Sequence, residues 1–170
     1  MVTVGDKAPE FVLGGYIKDD FKTFKLQTYK SKWVVLFFYP LDFTFVCPTE
    51  IVALSKAYDD FKKAGAEVFG ISVDSVYSHR TWSKELGELK FPLLSDFHKR
   101  VSHQYGVLDE AEGTAHRGTF IIDPEGKIRW SVVSSDDVGR SIPELLRTLQ
   151  ALQTGKLCPA DWKPGDKTLN

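Results

Sequence analysis

The apolar positions of this chain fall into runs of two kinds. Lys32-Trp33-Val34-Val35-Leu36-Phe37-Phe38-Tyr39 is rich in β-branched and aromatic residues without polar alternation, which predicts a central strand buried on both faces. Beyond Pro40, residues Ile51, Leu54, Tyr58 and Phe61 recur at helical spacing and Gly65 follows as a stop, so the pattern predicts an amphipathic helix over 50–64. The run EVFGISV over 67–73 reads as a second buried strand. Strand, helix and strand then make a βαβ unit with a parallel pair, and the fold class is α/β. Helices are predicted over 78–89 and 97–105. Strands over 119–122 and 128–133 flank the turn signal Asp123-Pro124-Glu125-Gly126 and predict a hairpin. A last helix over 141–153 carries Ile142, Leu145, Leu146, Leu149 and Leu152 on one stripe and is closed by Gly155. Near the N-terminus, a small hairpin is expected around Gly14-Gly15.

After Gly155 the pattern changes. Lys156-Leu157-Cys158-Pro159-Ala160-Asp161-Trp162-Lys163-Pro164-Gly165 contains breakers that exclude a regular helix or central strand. This predicts one domain over 1–155 and an extended tail over 156–170, anchored by Trp162. A length of 170 residues is enough for one such core.

Composition narrows the possible partners. With 42% hydrophobic and 26% charged residues the chain reads as an ordinary globular protein. A net charge of -1 supplies no broad attraction for nucleic acid or an anionic membrane. The first residues, with Gly5, Asp6 and Glu10, lack the basic start and apolar run of a secretory signal. The longest dense apolar stretch, 33–39, is far short of a bilayer span. A cytoplasmic location is the resulting expectation. Neither cysteine belongs to a C-x-x-C pair or a zinc-ligand cluster, and His79, His98, His103 and His116 lack the spacing of a helical zinc site. No metal and no cofactor are expected.

Cys47 is the residue with the most chemistry to offer. It follows the central strand by a short loop and precedes Pro48, a residue favoured at the start of a helix. Helix N-termini present free N–H groups and partial positive charge, which favour the thiolate form of a cysteine. The competing reading is a buried structural cysteine, the commoner fate of an intracellular cysteine.

The segment Pro40-Leu41-Asp42-Phe43-Thr44-Phe45-Val46-Cys47-Pro48-Thr49-Glu50 closely resembles the peroxidatic-site segment of the typical two-cysteine peroxiredoxins. The likeness continues through Val4-Gly5-Asp6-Lys7-Ala8-Pro9, His116-Arg117-Gly118-Thr119-Phe120-Ile121-Ile122-Asp123, Val138-Gly139-Arg140-Ser141 and Cys158-Pro159-Ala160-Asp161-Trp162-Lys163-Pro164-Gly165. It looks most like the bacterial-type alkyl hydroperoxide reductase C component.

That resemblance implies a thioredoxin-like fold with a central mixed sheet. It also implies a thiol-dependent peroxidase that reduces hydrogen peroxide and organic hydroperoxides, in antioxidant defence and redox homeostasis. Cys47 matches the peroxidatic cysteine and Cys158 the resolving cysteine, which the family joins in an intersubunit disulfide. Pro40, Thr44 and Arg117 match the remaining active-site positions, and Glu50 would orient Arg117. The implied electron donor is thioredoxin or a flavoprotein disulfide reductase. The implied assembly is a homodimer that builds a decameric ring through the region that Val73-Asp74-Ser75-Val76-Tyr77-Ser78-His79 resembles, although core packing or single surface exposure accounts equally well for Val76 and Tyr77. Singly, each residue has a plainer reading: Pro40 as strand terminator, Thr44 as helix N-cap, Arg117 as a charge at a strand edge, Glu50 as part of a capping box. Their joint spacing favours the catalytic one.

Two departures from the family bear on oxidation. Between Leu86 and Leu94 the chain lacks the Gly-Gly-Leu-Gly insertion of overoxidation-sensitive members, and it ends at Asn170 without their Tyr-Phe terminal helix. Both predict resistance of Cys47 to the irreversible sulfinic step. Three rival readings remain at this level. A disulfide reductase would need the C-x-x-C pair that is absent here. A holdase-type chaperone ring would use its cysteines only to regulate assembly. A cysteine hydrolase would need a histidine on Cys47, for which His116 is the candidate.

Overall fold

The computed structural model describes residues 1–170 and groups them into two compact units, Met1–Arg140 and Ser141–Asn170. In the first unit the strands are β1 (Val12–Ile17), β2 (Asp20–Lys25), β3 (Trp33–Phe38), β4 (Ala66–Ser72), β5 (Leu93–Ser95), β6 (Leu108–Asp109), β7 (Thr114–Ala115), β8 (Arg117–Ile122) and β9 (Ile128–Ser134). The helices are α1 (Cys47–Lys63), α2 (Val76–Glu85) and α3 (Arg100–Gln104). Seven strands form one mixed sheet in the order β2-β1-β5-β4-β3-β8-β9, and β6 pairs with β7 apart from it. No helix is long and apolar enough to cross a membrane.

The non-alternating run becomes β3, near the middle of the sheet and buried on both faces as expected. Val34, Leu36 and Phe38 join the cluster containing Phe69, Ile71, Tyr105, Phe120 and Ile122, while Val35, Phe37 and Tyr39 are equally buried on the other side. Strand β4 runs parallel to β3, with α1 between them in the chain and packed on β4. Strand β8 runs antiparallel to β3, with Phe37 opposite Thr119. That register carries the start of β8 to the end of β3 where the chain turns toward Cys47.

The predicted elements differ from the structure in a few places, each with a local cause. The N-terminal hairpin turns at Lys18 and Asp19, both with positive φ (47° and 62°), rather than at Gly14-Gly15. Gly15 instead lies inside β1, where a Cβ would fall 2.7 Å from Leu94 Cδ2 and 3.0 Å from the carbonyl oxygen of Leu93. Gly15→Ala is therefore expected to destabilise the fold by about 1–3 kcal/mol through overpacking, measurable as a lower urea midpoint with an unchanged slope. The helix expected over 97–105 shrinks to α3 because Asp96 takes over its start. The Asp96 carboxylate accepts from the N–H groups of Val101 and Ser102, and Lys99 before them is left-handed (φ 60°). Helix α2 starts two residues earlier than expected, at a Ser75 cap that accepts from Ser78 N–H.

The second unit consists of α4 (Ile142–Gln153) and the segment that follows it. Ser141 caps α4 by accepting from Glu144 N–H. The tail is anchored by Trp162, which is buried, donates Nε1–H to Asp166 O and receives Arg147 Nη1 on its own carbonyl. Leu169 N–H donates to Leu157 O and Leu157 N–H to Asn170 Oδ1, so the irregular segment closes on itself around Cys158.

Candidate active site

Helix α1 begins with Cys47, whose predicted place at a helix N-terminus is met. The cap residue is Val46 and no side chain caps the helix, so Pro48 stands at the second position rather than the first. Thr44 is thus not the cap: its hydroxyl donates to Leu41 O at 2.9 Å, leaving its lone pairs free to accept. Pro40 opens the loop and is half-buried. Phe43, within the loop, has a left-handed backbone (φ 58°), a conformation costly for a bulky residue.

A buried polar network holds that loop. Asp42 accepts from Tyr39 OH at 2.7 Å and from Ser78 Oγ at 2.9 Å, and its N–H donates to Asp74 Oδ2. His79 Nε2 faces Leu94 O and must donate to it, while Nδ1 lies 2.8 Å from Asp42 Oδ2. His79 is accordingly a satisfied core histidine. Burial, then the nearby Asp42 charge, push the Asp74 carboxyl above its ordinary value. The network ties the loop to α2 through Ser78 and His79, and these contacts help hold the strain at Phe43.

Cys47 is fully buried, and Arg117 Nη1 donates to its Sγ at 3.3 Å. The same Nη1 donates to Glu50 Oε1 at 2.7 Å, one helical turn beyond Cys47. Glu50 is not a capping-box partner; it is the anion between two guanidinium groups. Arg140 reaches it with Nε on Oε2 at 2.7 Å, Nη2 on Oε1 at 3.0 Å and its backbone N–H on Oε2 at 2.8 Å. Arg140 also donates to Gly118 O and Thr119 Oγ1 and lies 3.4 Å over the Phe37 ring. Burial works against the ionised form of Glu50, but the hydrogen bonds and charge of Arg140, with the charge of Arg117, outweigh it and hold the carboxyl below its usual value. Burial likewise opposes the charge on Arg117, which its contacts with Cys47 and Glu50 more than restore. The result is a buried thiol facing a fixed cation at the start of a helix, an arrangement that stabilises negative charge on sulfur and on atoms bound beside it.

Of the residues singled out from the sequence, Cys47, Glu50 and Arg117 meet directly. Thr44 and Pro40 belong to the loop leading to them. Cys158 lies in the second unit as a free thiol, 3.4 Å from Thr154 Oγ1 and donating to Ala151 O at 3.7 Å. His116 does not serve Cys47: its Nδ1 is 3.3 Å from Asp136 Oδ2. Arg140 was not read as a site residue from sequence, although the stretch Val138-Gly139-Arg140-Ser141 was part of the family likeness.

A family model described as the AhpC/TSA family matches residues 4–131, and one described as the C-terminal domain of 1-Cys peroxiredoxin matches residues 151–170. Peroxiredoxin-2 of Macaca fascicularis is 51% identical over 176 residues, covering 98% of this chain and 89% of that protein. The chloroplastic 2-Cys peroxiredoxin BAS1 of Hordeum vulgare is 50% identical over 177 residues, covering 98% of this chain and 84% of that protein. Among solved structures, the reduced 2-Cys peroxiredoxin of Plasmodium vivax superposes with a TM-score of 0.95 at 39% identity, covering 99% of this chain and 93% of that one.

Proposed function

The chain belongs to the AhpC/TSA family of peroxiredoxins and is a thiol-dependent peroxidase of thioredoxin-like fold, and from this premise we propose that Cys47 is its peroxidatic cysteine and Cys158 the cysteine that resolves it. The observation that carries the reading is the Arg117 guanidinium held on Cys47 Sγ by a buried Glu50 at the first turn of α1.

The chemistry follows from the donors available. The Cys47 thiolate attacks the hydroxyl oxygen of the hydroperoxide, the S–O bond forms as the O–O bond breaks, and the other oxygen leaves with the electron pair and takes up a proton as alcohol or water. Arg117 donates to the oxygens as their charge develops. The Thr44 hydroxyl, its own proton on Leu41 O, accepts the hydrogen of the peroxide O–H. Pro40 shields the sulfenic acid from water, and Glu50 and Arg140 keep Arg117 in place. The sulfenic acid then condenses with the Cys158 thiol, releasing water and leaving a disulfide, which an external dithiol reduces.

Since Cys47 is fully buried, the condensation requires the first turn of α1 to unwind. The absence of a side-chain cap at Val46 lowers the cost of that step. In the proposed assembly Cys158 resolves Cys47 of a second subunit from a tail over 156–170, the dimers build a decameric ring, and thioredoxin or a flavoprotein disulfide reductase supplies electrons in the cytoplasm.

The test uses reduced protein mixed with a slight excess of hydrogen peroxide, following peroxide loss and migration on a non-reducing gel. Wild type is expected to consume peroxide and run as a covalent dimer. Cys158→Ser should consume its first equivalent and stay monomeric. Survival of the peroxide would remove Cys47 from the role, and a monomeric disulfide in wild type would move resolution inside one chain.

A further inference from the structure

Next to the cation on Cys47 lies a second acid–base pair for which the chemistry above has no use. Arg117 is held at its other edge by a backbone carbonyl: Nε donates to Asp136 O at 2.9 Å. Asp136 stands in the tight turn that follows β9, closed by Val138 N–H on Ser135 O. A turn on its own is a compliant support, since few contacts fix its carbonyl direction. Here the side chain of the same residue is tied back to His116, with Nδ1 3.3 Å from Asp136 Oδ2. Asp136 Oδ1 is buried without a partner although much of the side chain reaches solvent. A free aspartate would turn both oxygens to water, so the observed orientation is one that the His116 contact maintains against a desolvation cost.

His116 is well placed to be the fixed end of this tie. Its N–H donates to Val107 O and its carbonyl accepts from Gly118 N–H, both at 2.7 Å, which pins both ends of its backbone immediately before Arg117. The charged groups around the pair are Arg117, Glu50 and Arg140 on the buried side and Asp137 beside it in the turn. We propose that His116 and Asp136 form a positioning pair that sets the direction of Arg117 during sulfur oxidation. His116 fixes the Asp136 carboxylate, the turn then presents the Asp136 carbonyl to Nε, and Nη1 stays on Sγ. The inference rests on Cys47 being the thiol that reacts with peroxide.

The experiment is rapid mixing of the reduced full chain with hydrogen peroxide, giving the second-order rate of Cys47 oxidation, with disulfide reduction by a small dithiol measured separately. His116→Ala and Asp136→Ala are each expected to slow oxidation about tenfold, the loss that accompanies a slightly mis-set catalytic group. Dithiol reduction should be unchanged. The double variant should be no slower than either single one, because the two residues act as one unit. His116→Asn, whose amide can donate from near the Nδ1 position, should recover most of the rate. His116→Phe keeps the ring volume without a donor and should not, and it carries the test if the alanine variants unfold. Oxidation within about twofold of wild type in His116→Phe, or equal losses in His116→Asn and His116→Phe, would overturn the pair. Cys47→Ser separates the two ideas: an inactive Cys47→Ser with a normal His116→Phe removes only the positioning pair, whereas an active Cys47→Ser removes the assignment of Cys47 itself.

Discussion

Arg117→Met is expected to lower the rate of Cys47 oxidation by peroxide by about 100- to 1,000-fold, the usual cost of deleting one preorganised donor from a site where charge develops. The side chain does two things that methionine cannot. It places a permanent positive charge 3.3 Å from Sγ, and it offers further N–H groups to an oxygen bound beside the sulfur. The fold should survive, because Glu50 keeps the bidentate contact of Arg140. Competition with a haem peroxidase for limiting peroxide measures the rate without coupling to recycling. Arg117→Lys should fall between the two, keeping the charge and losing the fork that reaches sulfur, carboxylate and the Asp136 carbonyl together. A loss of less than about tenfold in Arg117→Met would reduce Arg117 to a structural partner of Glu50.

The second large effect is on stability. The Glu50 side chain is 1% exposed, and the guanidinium side chains of Arg117 and Arg140 beside it are 4% and 6% exposed. Glu50→Gln removes the anion and leaves two buried cations facing each other. Breaking such a cluster by deleting one partner costs about 3–5 kcal/mol, a large part of the total stability of a domain. Urea unfolding at fixed protein concentration and pH 7 reads this directly.

The pH dependence of the same comparison has a definite sign. The folded carboxyl lies below its ordinary value of 4.5, since the contacts with Arg140 and Arg117 outweigh the opposing effect of burial. Its stabilising contribution is therefore fully present above pH 4.5 and is lost as pH falls through the lower folded value. The gap between wild type and Glu50→Gln should be widest at neutral pH and close in acid. A gap that stays constant down to about pH 3 would mean that the ionised carboxylate is not what holds the cluster.

The parts of the molecule that were legible in the sequence are those whose cause is local. A run of β-branched and aromatic residues without alternation can only be satisfied by a strand covered on both faces, and β3 is that strand. Apolar residues at helical spacing beyond Cys47 and on the stripe of α4 needed no distant partner to be recognised. The Asp123-Pro124-Glu125-Gly126 turn likewise encodes its own geometry and leaves β8 and β9 antiparallel. The family likeness added the chemistry proposed for Cys47, because a long motif of fixed spacing records constraints that periodicity does not.

Tertiary structure decided what meets what. Glu50 is 67 positions from Arg117 and 90 from Arg140, and no pattern within any one segment brings them together. What does is the antiparallel register of β3 and β8, which carries Arg117 to the end of β3, and the turn after β9, which returns Arg140 to the same carboxylate. Gly14 and Gly15 looked like a turn but serve strand packing, because the space at Gly15 is set by Leu93, Leu94 and Phe24 from other parts of the chain. The helix expected over 97–105 was shortened by the capping carboxylate of Asp96, a competition between side chain and backbone that helical spacing does not register. His116 and Asp136 are separated by β8 and β9 and become neighbours only when those strands pair. Local physics wrote the elements and the place of Cys47 at a helix start; the sheet register wrote the electrostatics around it.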